Sequence, residues 1–248
     1  MVWIGHATVC LDIDGRRVIT DPVLRAGVGP LRRVGPIPPR AAYRDPDVVL
    51  ISHLHHDHAD LPSLRFIDPR VPVVAPVGAA RLLRSRGGRV DVRELAPNDT
   101  LRIVGLHVTA TAAWHDSTRL GSRARAAPVG YLLTSSRQRV YFAGDTGWLP
   151  ELAGLAGQVD VALLPVGGWG PTLGAGHLDP RQAAELTGLL RPALAVPIHW
   201  GTLFLRGAWH LAPRRSQQPG AAFARWCRQL APATAVVVSL PGAVVRLP

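Results

Sequence analysis

Residues 50 to 61 read LISHLHHDHADL, where four histidines and two aspartates follow directly on an apolar run. Side chains of an extended chain alternate with period two, so His53 and His55 leave the end of that run on the same side. Asp57 and His58 come at the turn that follows, where the chain can bring both back towards the same point. Two imidazoles on one side and a carboxylate plus an imidazole on the other form a ligand set for two metal ions, of a kind that suits zinc, iron or manganese. Buried without metal, the cluster would hold unsatisfied and mutually repelling groups; the bland alternative is a solvated histidine-rich loop.

A metal pair needs more ligands than one loop can give. Three other segments each end an apolar run on a candidate: LHVTATAAWHDS on His115, VYFAGDTGW on Asp145 in a glycine-flanked turn, and LAVPIHWGT on His199. Single polar residues presented at separate strand ends are how sites form at sheet edges. An aspartate between two cations can bridge them and offset part of their repulsion.

The elements that must position these residues are legible as runs. WIGHATVCLDIDGRRVIT reads as a hairpin, two strand-like runs turning at Gly15. Residues 23 to 46, rich in Pro, Gly and Arg, carry no periodicity and read as a long loop that could act as a lid. DVVLIS, VPVVAP, LRIVGLHVTAT, VGYLLTS, QRVYFAG, VDVALLPV and PALAVPI read as further strands, with ATAVVVSL and AVVRL closing the chain. A helix should begin at HLDPRQAAELTGLL, where Asp179 can cap, Pro180 suits the first helical position and Gln182 lies three residues after the cap. A second helix should place Phe223, Trp226, Cys227 and Leu230 on one packing face. Apolar strands with interspersed helices imply sheets covered by helices.

Composition bounds the rest. The 248 residues have a hydrophobic fraction of 47%, ample for a core, and no apolar run reaches membrane-spanning length. The start has no leader pattern, and Cys10 and Cys227 read as buried free thiols, so a cytoplasmic location is expected. The formal charge of +11 comes from 28 basic residues with no lysine among them, so every one is arginine. These arginines are scattered and lack interleaved stacking aromatics, so a specific nucleic-acid role is not expected.

The ordered set WIGHAT, TDP, ISHLHHDH, FAGDTG, LLPVGG, GHLDPRQAAEL and PIHWGT resembles the metallo-β-lactamase fold superfamily over nearly the whole chain. Within it the chain most resembles the branch holding N-acyl-phosphatidylethanolamine phospholipase D and ascorbate-6-phosphate lactonase. The resemblance implies one hydrolase domain spanning residues 1 to 248, an α/β fold of the αββα four-layer sandwich type, and a site at one edge of the two sheets. It places His53, His55 and His115 on one metal and Asp57, His58 and His199 on the other, with Asp145 bridging. His55 stands where the flavodiiron branch has glutamate, which argues against oxygen or nitric-oxide reduction.

Two divalent ions, zinc first with manganese or iron as alternatives, would ionise a shared water at neutral pH. The expected reaction is hydrolysis of an ester-type bond. A phosphodiester of a small or phospholipid-like anionic substrate is favoured, with a phosphorylated sugar lactone and nuclease action as alternatives. Asp57 could also orient the hydroxide. His177 could position substrate, protonate the leaving group, or only brace the helix start. His6 reads as a structural histidine within a strand, and Asp21 as either an orienter of a metal-binding histidine or a turn residue before proline. The 23 to 46 loop, Trp169, Trp200, Phe204, Arg206 and Trp209 are candidate pocket walls, while His107 and His210 carry no assigned role.

Overall fold

Short runs of Val, Leu and Ile pair into two sheets because each run can bury both of its faces. The computed structural model describes residues 1–116, 118–170, 172–207 and 218–248. The first sheet has the order β1 (Val2–Gly5), β2 (Thr8–Ile13), β3 (Arg16–Thr20), β6 (Val48–Leu50), β7 (Val73–Pro76) and β8 (Val92–Leu95). The second runs β16 (Ala235–Val236), β14 (Leu194–Ile198), β13 (Val161–Pro165), β12 (Arg139–Phe142), β11 (Val129–Thr134), β10 (Leu106–Ala112) and β9 (Thr100–Ile103). Both are mixed: hairpin neighbours pair antiparallel, whereas β3, β6, β7 and β8, like β12, β13, β14 and β16, pair in parallel.

Period-two alternation sorts β6 and its extension between two cores. Val48 and Leu50 join the larger core with Val9, Leu11, Val108, Tyr131, Leu133, Tyr141 and Leu163 of both sheets. Val49 and Ile51 join the smaller core, with Leu64 of α1 (Leu61–Leu64) and Leu82 and Leu83 of α2 (Ala80–Ser85). On the far side, α3 (Pro180–Leu190) and α4 (Gln218–Leu230) pack through Ala183, Leu186, Leu190, Phe223 and Cys227. The layers are helix, sheet, sheet, helix, which is the expected αββα arrangement. Each fully buried aliphatic or aromatic side chain contributes about 1.5–3 kcal/mol by leaving water.

Asp179 caps α3 as expected, accepting from the backbone N–H groups of Arg181 and Gln182, while the Gln182 side chain accepts from the Asp179 N–H. The amino-terminal hairpin does differ. Its first run is two strands, broken at His6, whose φ of 55° turns the chain so that β1 folds back on β2. His6 therefore sits in a turn and not within a strand. The 23 to 46 segment is not structureless: β4 (Gly27–Val28) and β5 (Leu31–Arg33) form a small sheet with β15 (Leu203–Leu205). At the carboxyl end only Ala235–Val236 pairs as a strand, and AVVRL contributes a single bridge between Val244 and Val2. Exposed valines such as Val244 lack the second buried face that β-branched composition had suggested. Among the described residues no helix is long and apolar enough to cross a membrane.

Candidate metal centre

β6 ends at Leu50, and the backbone beyond it is held rigidly before the histidines begin. Tyr131 of the second sheet, fully buried, donates its hydroxyl to the Ile51 carbonyl at 2.8 Å, and the Val129 N–H donates to the Ser52 carbonyl at 3.0 Å. Gly144 faces this crossing with φ of 62°, where an added Cβ would lie 2.6 Å from the Ser52 Cβ. Glycine opens the GDTG turn because any side chain would push the Asp145 and His53 segments apart.

The loop after Ser52 is braced by a residue far away in sequence. Arg119, 5% exposed, donates through Nη1 to the carbonyls of Leu54 at 2.7 Å and Ala59 at 3.0 Å, so it spans the segment carrying His55, Asp57 and His58. Nothing in the spacing of DSTRLGS marks it. An Arg119→Leu chain leaves two buried carbonyls unpartnered, and we expect a loss of about 3 kcal/mol in stability, read as a lowered urea midpoint.

The seven residues expected to converge do so. His53, His55 and His115 bring one nitrogen each within 4.8 Å of one another, as do the ligand atoms of His6, Asp57, His58 and His199. Asp145 lies between them: Oδ2 is 3.1 Å from His58 Nε2, 3.2 Å from His199 Nε2 and 4.0 Å from His115 Nε2. His177 also reaches it, with Nε2 at 3.5 Å from the same oxygen.

The tautomers follow from the outer partners. His58 Nδ1 donates to Asp21 Oδ2 at 2.7 Å, His199 Nδ1 to the Gly167 carbonyl at 2.8 Å, and His115 Nδ1 to the Gly176 carbonyl at 3.1 Å. Ser52 Oγ donates to Asp21 Oδ2 at 2.5 Å, so at 2.9 Å it accepts from His53 Nδ1. A neutral imidazole that spends its one N–H outward has only a lone pair on the other nitrogen. With all four rings neutral, as metal binding requires, four Nε2 lone pairs point inward, and two of them, on His58 and His199, stand 3.1 Å apart. His53 Nε2 and Asp145 Oδ1 are buried with no partner. Facing acceptors with no donor between them are unfavourable unless a cation sits among them, which is the chemistry of a metal site. Asp21 is thereby the orienter of His58 and, through Ser52, of His53, rather than a turn residue alone.

Electrostatics agree. Burial opposes charge on His58, yet Asp145 and Asp21 at its two nitrogens raise its pKa well above the ordinary value, so a proton stands in for a cation there. Burial also opposes ionisation of Asp145, but His199 and His58 hold its carboxyl well below the usual range. Burial lowers His53 well below its ordinary value and His115 to about 4, keeping both neutral as ligands must be.

His6 is the residue the sequence reading misplaced. It is buried, and its Nε2 lies 2.9 Å from Asp57 Oδ2 within the second cluster. The signal was the Gly-His pair interrupting an otherwise continuous strand run. Among the expected pocket walls, Trp200 is a core residue, packed at 5.1 Å on Trp3 with its indole N–H on the Pro197 carbonyl. Phe204 lines a cavity of about 370 Å³ with Gly167 and Leu173, and Trp169 is exposed. Arg206 borders a recess of about 550 Å³ with Arg25 and Arg32. Trp114, half exposed and next to His115, was not foreseen as a wall. Trp209 and His210 lie outside the described residues.

Residues 16–200 match a beta-lactamase superfamily domain. The chain is 34% identical to an uncharacterized protein of Mycobacterium tuberculosis over 82% of its own length, and it spans 59% of that relative. It is 31% identical to a metal-dependent hydrolase of Thermoplasma acidophilum, with 83% of this chain and 84% of the relative covered. It is 29% identical to an N-acyl-phosphatidylethanolamine-hydrolyzing phospholipase D of Caenorhabditis elegans, covering 81% of this chain and 63% of that one. The solved structure of a metallo hydrolase from Ignicoccus hospitalis superposes with a TM-score of 0.71 at 23% identity, covering 98% of this chain and 96% of the other.

Proposed function

We propose that this chain, which belongs to the metallo-β-lactamase superfamily as a metal-dependent hydrolase, uses a pair of zinc ions to hydrolyse a phosphodiester. His53, His55 and His115 would hold one ion and Asp57, His58 and His199 the other, with Asp145 shared between them. The observation that carries this reading is the meeting of His58 Nε2 and His199 Nε2 on Asp145 Oδ2, at 3.1 and 3.2 Å, with each Nδ1 already committed outward. When bound there, a divalent pair supplies a water acidified to a pKa of about 7 and charge to stabilise the developing oxyanion.

The chain's own groups supply the rest. Asp21 and the Gly167 and Gly176 carbonyls fix the rings, so no reorganisation is needed as charge builds. Asp145 and Asp57 place negative charge among the ligand nitrogens, which favours cations over anions at the centre. His177 is half-buried, anchored by Nδ1 on the Gly174 carbonyl, with Nε2 at the edge of the centre, 3.5 Å from Asp145 Oδ2. There it would hold or deliver a proton to the leaving oxygen. A His177→Gln chain should keep its full metal content and lose roughly 100-fold in kcat, with the acidic limb of the pH profile altered. Unchanged kcat would leave His177 as a brace for α3.

Three features favour a phosphodiester. One relative is named a phospholipase D. The recess bordered by Arg32 and Arg206 suits an anion, Arg25 beside them being paired with Asp60 at 2.8 Å, and exposed Trp114, Trp148 and Trp169 offer apolar surface on the segments that carry His115, Asp145 and Gly167. Metal analysis of the purified chain followed by a hydrolysis screen of phosphodiesters, lactones and thioesters tests the assignment. Turnover of lactones alone would favour the lactonase reading. Cleavage of RNA or DNA falling steeply with salt would favour a nuclease.

A further inference from the structure

The tip of the β1–β2 turn reaches into the centre without being needed for the ligand count, and the surrounding contacts say what it does there. His6 is 1% exposed and held in a left-handed conformation at φ of 55°, which is uncommon for a residue other than glycine. Its backbone is pinned on both sides: its N–H donates to Thr202 Oγ1 at 3.0 Å, and its carbonyl accepts from the His199 N–H at 2.9 Å and from the Trp3 indole N–H at 2.8 Å. Its ring lies 3.9 Å from that of His199, centroid to centroid, and its Nε2 is 2.9 Å from Asp57 Oδ2. One residue therefore touches both Asp57, which enters from the 53–58 loop, and His199, which enters after β14.

We propose that His6 is a positioning residue for the second ion: its Nε2–H donates to Asp57 Oδ2 and aims the other carboxylate oxygen at that ion, while its carbonyl and ring fix the approach of His199. The proposal rests on the two-metal reading and adds a division of labour within it. Asp57 sits at the turn of the histidine loop, and among the described residues the next cationic or imidazole nitrogen that pairs with its Oδ2 after His6 is His58 Nε2, at 3.9 Å. Without the His6 contact the Asp57 carboxylate would keep several rotamers, and the second half-site would pay the cost of ordering it on each binding event. The first half-site, made by His53, His55 and His115, has no contact of this kind with His6 and should be indifferent to it.

The test is zinc titration of the purified full chain by calorimetry, with bound metal counted after dialysis. A His6→Phe chain keeps the ring and removes the donor. It should bind its first ion as the unaltered chain does and its second 10- to 100-fold more weakly. A His6→Gln chain, whose amide nitrogen can take the place of Nε2, should recover most of that loss. In an Asp57→Asn background, the His6→Phe change should cost little more, because the contact it removes is already broken. Equal second-ion affinity in the His6→Phe and unaltered chains would overturn the proposal, as would parallel loss of both ions. Should the phenylalanine variant not fold, a crystal structure of the unaltered chain loaded with zinc decides. His6 Nε2 on Asp57 supports positioning, and His6 Nε2 at about 2.1 Å from an ion makes it a ligand instead. The two-metal reading fails separately, if the unaltered chain itself never takes up a second ion.

Discussion

An Asp145→Ala chain should lose metal and activity together. Asp145 Oδ2 lies 3.1 Å from His58 Nε2 and 3.2 Å from His199 Nε2, and its Oδ1 is a buried acceptor with no partner of its own among the described residues. Removing it takes away the negative charge that lets two cations share a small volume and leaves the inward lone pairs of His58, His199 and His115 without the group they converge on. The expected loss is about 4 kcal/mol or more of transition-state stabilisation, which is on the order of a thousandfold in kcat/KM. Dialysed protein should carry at most one ion. The variant should still fold, since Asp145 lies beyond the end of β12 and outside the apolar core that joins the two sheets. A variant with full metal content and full activity would remove Asp145 from the shared position.

Acidification should unload the site and destabilise the metal-free chain within one window. Burial lowers His6 to about 3 and His115 to about 4, and also lowers His55 and, more strongly, His53. In the unfolded chain these histidines return to about 6.5. Between those values the unfolded state binds more protons than the folded one, so stability falls as pH falls below 6.5. His58 adds no slope there, because its raised folded pKa keeps it protonated in both states below 6.5. Asp57 and Asp145, both held well below the usual carboxylate range, stay ionised in both states until the pH nears 4. Each neutral buried histidine should remove up to about 2 kcal/mol between pH 6.5 and 5, visible as a falling urea midpoint of the metal-free chain. In the loaded chain the same protonation competes with metal, so the ions should leave below about pH 6. Two ions retained at pH 4 would contradict a histidine-dominated site.

What the sequence revealed and what it hid divide along one physical line. Local rules reached far. Period two placed His53 and His55 together, the Asp-Pro-x-Gln start marked α3, and apolar runs marked most strands of the two sheets. Residues at strand ends with metal-binding chemistry were visible because such groups are costly to bury for any other purpose. The features that escaped are those set by contacts distant in sequence. Arg119 looks like any other arginine in a chain with 28 basic residues, and only the folded backbone shows it spanning Leu54 and Ala59. His6 looked like a strand residue because its neighbours are apolar, whereas its positive φ is imposed by Thr202 and His199 from the other end of the chain. Trp200 looked like a pocket wall for want of any sign that Trp3 would cover it.

The account as a whole is tested most directly by a zinc-loaded crystal of the unaltered chain, measured at the zinc absorption edge. It predicts two anomalous peaks per chain, roughly 3.5–4 Å apart, with Asp145 between them, one beside His53, His55 and His115 and the other beside Asp57, His58 and His199. A single peak, or two that leave the inward nitrogens of His58 and His199 uncoordinated, would contradict it.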